Sequence, residues 1–163
     1  MAFFSNDTSV PTPPALGPLT RDRVTAALDA RNLGYGIDED GDVGGYWDGH
    51  LFYFFLMGPG DKSLQVRGRW NRQVGVDQLP QVAALVNEWN STHLWPKAYV
   101  RSEDGVVGVY GEHTVDYAHG LSDEQVDQHL ACGIATALQL FDHLDEAYPA
   151  EAAAAKAEQE QEG

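Results

Sequence analysis

The run Gly45-Tyr46-Trp47-Asp48-Gly49-His50-Leu51-Phe52-Tyr53-Phe54-Phe55-Leu56-Met57 decides how the rest of the chain is read. From Leu51 onward every residue is apolar or aromatic, so the polar alternation of a half-buried strand is missing. Seven such residues are too few to cross a membrane and suit a strand covered on both faces. The stretch is therefore expected to form the central strand of a sheet. Burying each of these side chains contributes roughly 1.5–3 kcal/mol, so whatever covers them dominates the fold. The protein's own helices can cover one face, and the other needs a partner, a ligand or more chain.

The elements on either side support this reading. Thr20 is a candidate N-cap for a helix over Arg21–Leu33, with Val24, Ala27 and Leu28 at helical spacing and Gly34 able to end it. Tyr35–Glu39 reads as a short strand. In Asp38–Asp42, aspartates at alternate positions suggest a calcium loop, but glycine falls at loop position four and Gly49 stands where the bidentate glutamate belongs. A hairpin turn through Asp40-Gly41 fits better. Gly58–Asp61 is a second turn, and Leu64–Trp70 a strand of two opposite faces: Leu64, Val66, Gly68 and Trp70 against Gln65, Arg67 and Arg69.

Asp77 can cap a second helix, with Pro80 in its first turn and Val82, Ala83, Val86 and Trp89 in one stripe. Asn90 lies in that stripe and needs partners for its amide, most simply a neighbouring backbone. Lys97–Ser102 and Val106–Tyr117 read as a hairpin about Glu103-Asp104-Gly105. Ser122 and Gln125 form a capping box that opens the longest helix, striped by Val126, Leu130, Ile134, Ala137, Leu138, Phe141 and Leu144 and stopped at Pro149. The order α-β-β-β-α-β-β-α with tight turns predicts an α+β fold, a single antiparallel five-stranded sheet with three helices on one face.

Composition bounds the function. The 163 residues suffice for one domain, placed at 19–148 between a flexible Pro-rich arm at 1–18 and a solvated, partly helical Ala/Glu tail at 149–163. Both ends are expected to be dispensable for folding. Acidic residues outnumber basic ones 25 to 10, which disfavours nucleic-acid and anionic-membrane partners. The lone Cys132 precludes an internal disulfide and the first residues lack a secretory pattern, so a reduced, cytoplasmic setting is expected.

Asn87-Glu-Trp-Asn90, Trp95-Pro-Lys-Ala-Tyr-Val100, Gln65-Val-Arg-Gly-Arg-Trp70 and Trp47-Asp-Gly together resemble the YbjN family over about Thr20 to Tyr148. The resemblance implies a fold like that of type III secretion chaperones, which are small proteins that commonly dimerise and bind other polypeptides. It also implies a role in sensory transduction and carries no catalytic residue.

Catalytic and metal chemistry find little support. His113, Asp116 and His119 are close in sequence and His129 and Cys132 are one helical turn apart, but one cysteine with scattered histidines does not make the usual zinc sets. No nucleophile elbow or phosphate loop is present. No cofactor and no enzymatic activity are expected. A small-molecule sensor or minor enzyme using His113 or His119 stands as the alternative.

The leading expectation is a non-catalytic protein-binding module, chaperone-like or a regulatory adaptor. If Leu64–Trp70 turns its small face to the helices, the other face presents Arg67 and Arg69, joined by Lys97, Tyr99 and Arg101 from the later strand. Tyr53 and Phe55 are placed outward beside them, since the Tyr53 hydroxyl prefers water or a partner. An aromatic patch rimmed by arginine is what interfaces enrich. The occupant is either a second copy in a homodimer or a separate acidic or amphipathic polypeptide.

Overall fold

A computed structural model describes residues 15–162, so most of the Pro-rich arm lies outside the described residues. Helix α1 (Arg21–Ala30) leads into strands β1 (Gly36–Ile37), β2 (Val43–Trp47), β3 (His50–Met57) and β4 (Ser63–Trp70). Helix α2 (Leu79–Thr92), strands β5 (Lys97–Glu103) and β6 (Val106–Asp116) and helices α3 (Asp123–Ala147) and α4 (Pro149–Glu162) follow. The six strands form one antiparallel sheet in the order β1-β2-β3-β4-β6-β5. The fold is α+β as expected, with six strands in place of five and four helices in place of three.

The extra strand comes from within the aromatic run. Asp48 and Gly49 both take positive φ, 51° and 75°, which is the backbone of a two-residue hairpin turn, so the chain reverses between Trp47 and His50. The strand after the turn also alternates, contrary to the two-sided burial expected of it. His50, Phe52 and Phe54 are buried, while Leu51, Tyr53 and Phe55 are half-buried.

The buried sides of β3, β4 and β6 (Phe52, Phe54, Leu64, Val66, Trp70, Val109) meet Leu28 of α1, Val82 of α2 and the stripe of α3 in one core. Gly133 lets α3 lie directly on β4, since a Cβ there would stand 2.5 Å from that of Val66. Under the core edge, Asp145 accepts from Trp70 Nε1 at 2.7 Å and from Arg72 at 3.0 and 2.7 Å, which satisfies a guanidinium only 2% exposed.

Three local expectations are corrected. Helix α1 ends at Ala30 because Asn32, not Gly34, takes the left-handed conformation, and the Leu33 amide closes back on Leu28 O. Asp77 sits inside a 3-10 turn, Val76–Gln78, and does not cap α2. Asn90 is exposed rather than buried, yet it bonds the Ala98 backbone as expected. The Ser122–Gln125 capping box forms as read. Near the ends, Gly17 makes an antiparallel bridge to Leu121, and α4 buries Ala152.

Candidate functional site

The face of the sheet turned away from the core is built by register. Tyr53 pairs with Arg67, Arg67 with Glu112 and Glu112 with Lys97, giving one row across four strands. Leu51, Arg69, Tyr110 and Tyr99 make the next row, and Tyr46 on β2 extends it. Phe55, Gln65 and Thr114 make a third. Side chains alternate strictly along each strand, so every member of these rows points to the same side. All seven residues anticipated from sequence, Tyr53, Phe55, Arg67, Arg69, Lys97, Tyr99 and Arg101, share this face.

The face is less basic than the sequence suggests. Glu112, 5% exposed, accepts from Arg67 Nε at 2.8 Å, Lys97 Nζ at 2.6 Å and the Tyr99 hydroxyl at 2.7 Å. Burial works to raise the Glu112 pKa, but those donors prevail and hold it below the ordinary carboxylate value. The same arrangement, burial first and then the bond to Glu112, pushes the Tyr99 hydroxyl up to about 12. Glu103 plays the matching part for Arg69, at 2.9 Å, and for the Tyr110 hydroxyl. Three of the four cations are thereby ion-paired, with Arg67 and Lys97 sharing the single charge of Glu112. Arg101 alone has no ion pair among the described residues, and its guanidinium lies over the Tyr99 and Tyr110 rings at 5.2 and 5.5 Å.

The aromatics are ordered in pairs. Tyr53 and Phe55 stack at 5.2 Å with Arg67 over the Phe55 ring at 4.9 Å, and Tyr99 stacks on Tyr110 at 5.2 Å. At the β1–β2 end the face deepens into an open cavity of about 580 Å³ lined by Ile37, Gly44, Tyr46, Leu51 and Tyr53. Tyr46 is 65% exposed there. Beside Phe55, Gln65 gives one amide hydrogen to Thr114, while its carbonyl oxygen is buried with no partner among the described residues. Sequence reasoning missed Tyr46, Leu51, Glu103, Tyr110 and Glu112. The Asp48-Gly49 turn signal, read as a hairpin, would have set Tyr46 beside Leu51; the glutamate partners depend on register.

A second concavity, of about 430 Å³, lies on the helix side between β6 and α3. Its lining includes Trp95, His113, Tyr117, His129 and Cys132. His129 stands 4.6 Å from His113, bonds the Tyr117 hydroxyl at 3.1 Å and the His113 carbonyl at 3.1 Å, and burial lowers its pKa to about 4. His119, the other histidine considered beside His113, is exposed and lines no part of this slot, whereas His129 does. Among the described residues no three histidine, cysteine or carboxylate side chains converge as metal ligands. The turn Asp38–Asp42 spends the Asp38 carboxylate on the Asp40 and Asp42 amides, as in an ordinary Asx turn.

Comparison with known proteins now bears on this face. The sequence model of the YbjN family, described as "Putative bacterial sensory transduction regulator", matches residues 20–146. Among solved structures, the chain resembles the crystal structure of YbjN from E. coli, described as "a putative transcription regulator". The TM-score is 0.70 at 13% identity, covering 83% of this chain and 96% of that one, a likeness of fold. No curated protein sequence matches. No described helix is long and apolar enough to cross a membrane.

Proposed function

The chain belongs to the YbjN family, and on that premise we propose that it is a non-catalytic regulatory module that binds a polypeptide on the open face of its sheet. The observation that carries this reading is the face itself: stacked aromatics, ion-paired arginines and a trough beside Tyr46, on the one side of the sheet that helices α1–α3 leave uncovered. Rigid aromatics among arginines suit protein recognition because they offer large contact area at small cost in side-chain entropy. A chaperone-like or adaptor role in the cytoplasm fits such a surface.

Affinity capture with paired variants tests the reading. Tyr53→Ser with Phe55→Ser alters the face, and Gln81→Glu alters the exposed side of α2 as a control. The reading expects a polypeptide retained by the wild type and the control and lost from the face variant, the bound species being a different protein rather than a second copy. Equal retention by all three contradicts it. Arg67→Glu is a poor choice of variant, because it would set two carboxylates together at the buried Glu112.

The slot at His113 and His129 favours a second reading, a small-molecule sensor, since its volume lies in the range of ligand pockets and the His113 Nδ1 atom is buried with no partner among the described residues. Filling it with Cys132→Trp would abolish any ligand-induced thermal shift if the slot is the site.

A further inference from the structure

We infer that Arg101 selects the partner: the open face takes an extended segment that sets a carboxylate on Arg101 and, about six residues away, an apolar or aromatic side chain at Tyr53. This rests on the polypeptide-binding reading and adds the chemistry and spacing of the bound segment.

The inference follows from which charges are already satisfied. Arg67 and Lys97 are committed to Glu112, and Arg69 to Glu103, at 2.6–2.9 Å. An incoming acid must there compete with Glu112 or Glu103 for donors already bonded, although Lys97, 68% exposed, shares its one carboxylate with Arg67. Arg101 is exposed, faces Gly108 across the ladder and is held over two tyrosine rings, so its direction is set while it makes no ion pair among the described residues. Such a preoriented guanidinium, with its fork of donors, suits a carboxylate.

A second copy of the chain supplies this poorly. Of the three carboxylates on the strands of the same face, Glu112 and Glu103 are bonded to cations and Asp116 caps the Ala118 amide at the far end of β6, and two chains of net charge −15 repel. A separate acidic segment fits the local positive charge instead.

The spacing comes from the register. Tyr53 and Lys97 share a row three strands apart, and Arg101 lies four residues further along β5. Strand separations near 4.8 Å and a rise near 3.4 Å place Arg101 about 14 Å across and about 14 Å along from Tyr53, or about 20 Å diagonally. An extended chain covers that in about six residues. The Tyr53 end also opens on the trough of Tyr46 and Leu51, where an apolar anchor can be enclosed.

Panning a random twelve-residue peptide library on the full chain tests the inference. The wild type should enrich peptides with Asp or Glu about six residues from an aromatic or large aliphatic residue. Such a peptide should bind Arg101→Glu about tenfold more weakly, since an exposed pair is lost and a repulsion added. Panning on Arg101→Glu should enrich Lys or Arg at that spacing. Peptides that depend on Tyr53 and Phe55 but bind Arg101→Glu as well as the wild type would overturn the inference and leave the polypeptide-binding reading intact. If no enriched peptide depends on Tyr53 and Phe55, both fail. Arg101 makes no ion pair among the described residues, so matching thermal melts of variant and wild type keep binding separate from folding.

Discussion

Asn90 and Ala98 are joined by two hydrogen bonds: the Asn90 amide donates to Ala98 O at 2.9 Å and the Ala98 amide donates to Asn90 Oδ1 at 3.0 Å. A side chain thus takes the place of a neighbouring strand at the free edge of β5, where open backbone groups invite unwanted pairing. It also ties the end of α2 to the strand that carries Lys97, Tyr99 and Arg101, so the helix helps to position the candidate face.

Asn90→Ala should therefore cost about 1 kcal/mol, the ordinary net value of such bonds at a solvent-exposed site. Urea denaturation reads this as a lower midpoint with an unchanged slope. An unaltered midpoint would mean that water replaces the amide without loss.

Asp145→Ala should be far more damaging. It strips the counter-ion from Arg72, 2% exposed, and a partner from the Trp70 indole, and breaking a buried pair costs about 3–5 kcal/mol. The double variant Arg72→Met with Asp145→Leu should recover part of that loss, because it leaves no buried charge. Equal destabilisation by both would contradict a charge-based account.

Stability should fall with acid between about pH 6.5 and pH 4. Burial, with Arg72 adding to it and Asp145 opposing, holds His50 at about 4, and burial does the same for His129. The unfolded value is near 6.5, so the unfolded chain binds more protons throughout that window and gains on the native state as pH falls. Each histidine contributes about 3 kcal/mol that is present above pH 6.5 and lost by pH 4. Urea midpoints across that range should show a steep fall, flattened in His129→Gln. A flat profile in the wild type would show that these imidazoles titrate normally in the native state.

Local chemistry was legible in the sequence wherever residue type records a facing direction or a cap. Leu64 to Trp70 alternates because one side is core and the other is not, and Ser122 with Gln125 announces the start of α3 by satisfying its free amides. The Trp47–His50 reversal was marked by Asp48-Gly49 but was read through, because aromatic residues stand on both sides of the turn. The ion pairs of Glu112 and Glu103 were not legible, because cross-strand neighbours depend on register, which one sequence does not state. For the same reason the carboxylates set among the four cations of that face went unread. His129, rather than His119, meets His113 because α3 folds back over β6, a contact set by packing and not by proximity along the chain.

The central claim, that the open sheet face binds a polypeptide, is tested most directly by a photoreactive benzoylphenylalanine placed at Tyr53 and, separately, at Gln81 on the exposed side of α2. Irradiation in native extract should join a polypeptide to the chain from position 53 and not from position 81. Crosslinks from position 81 alone, or none from position 53 while the protein stays folded, would contradict it.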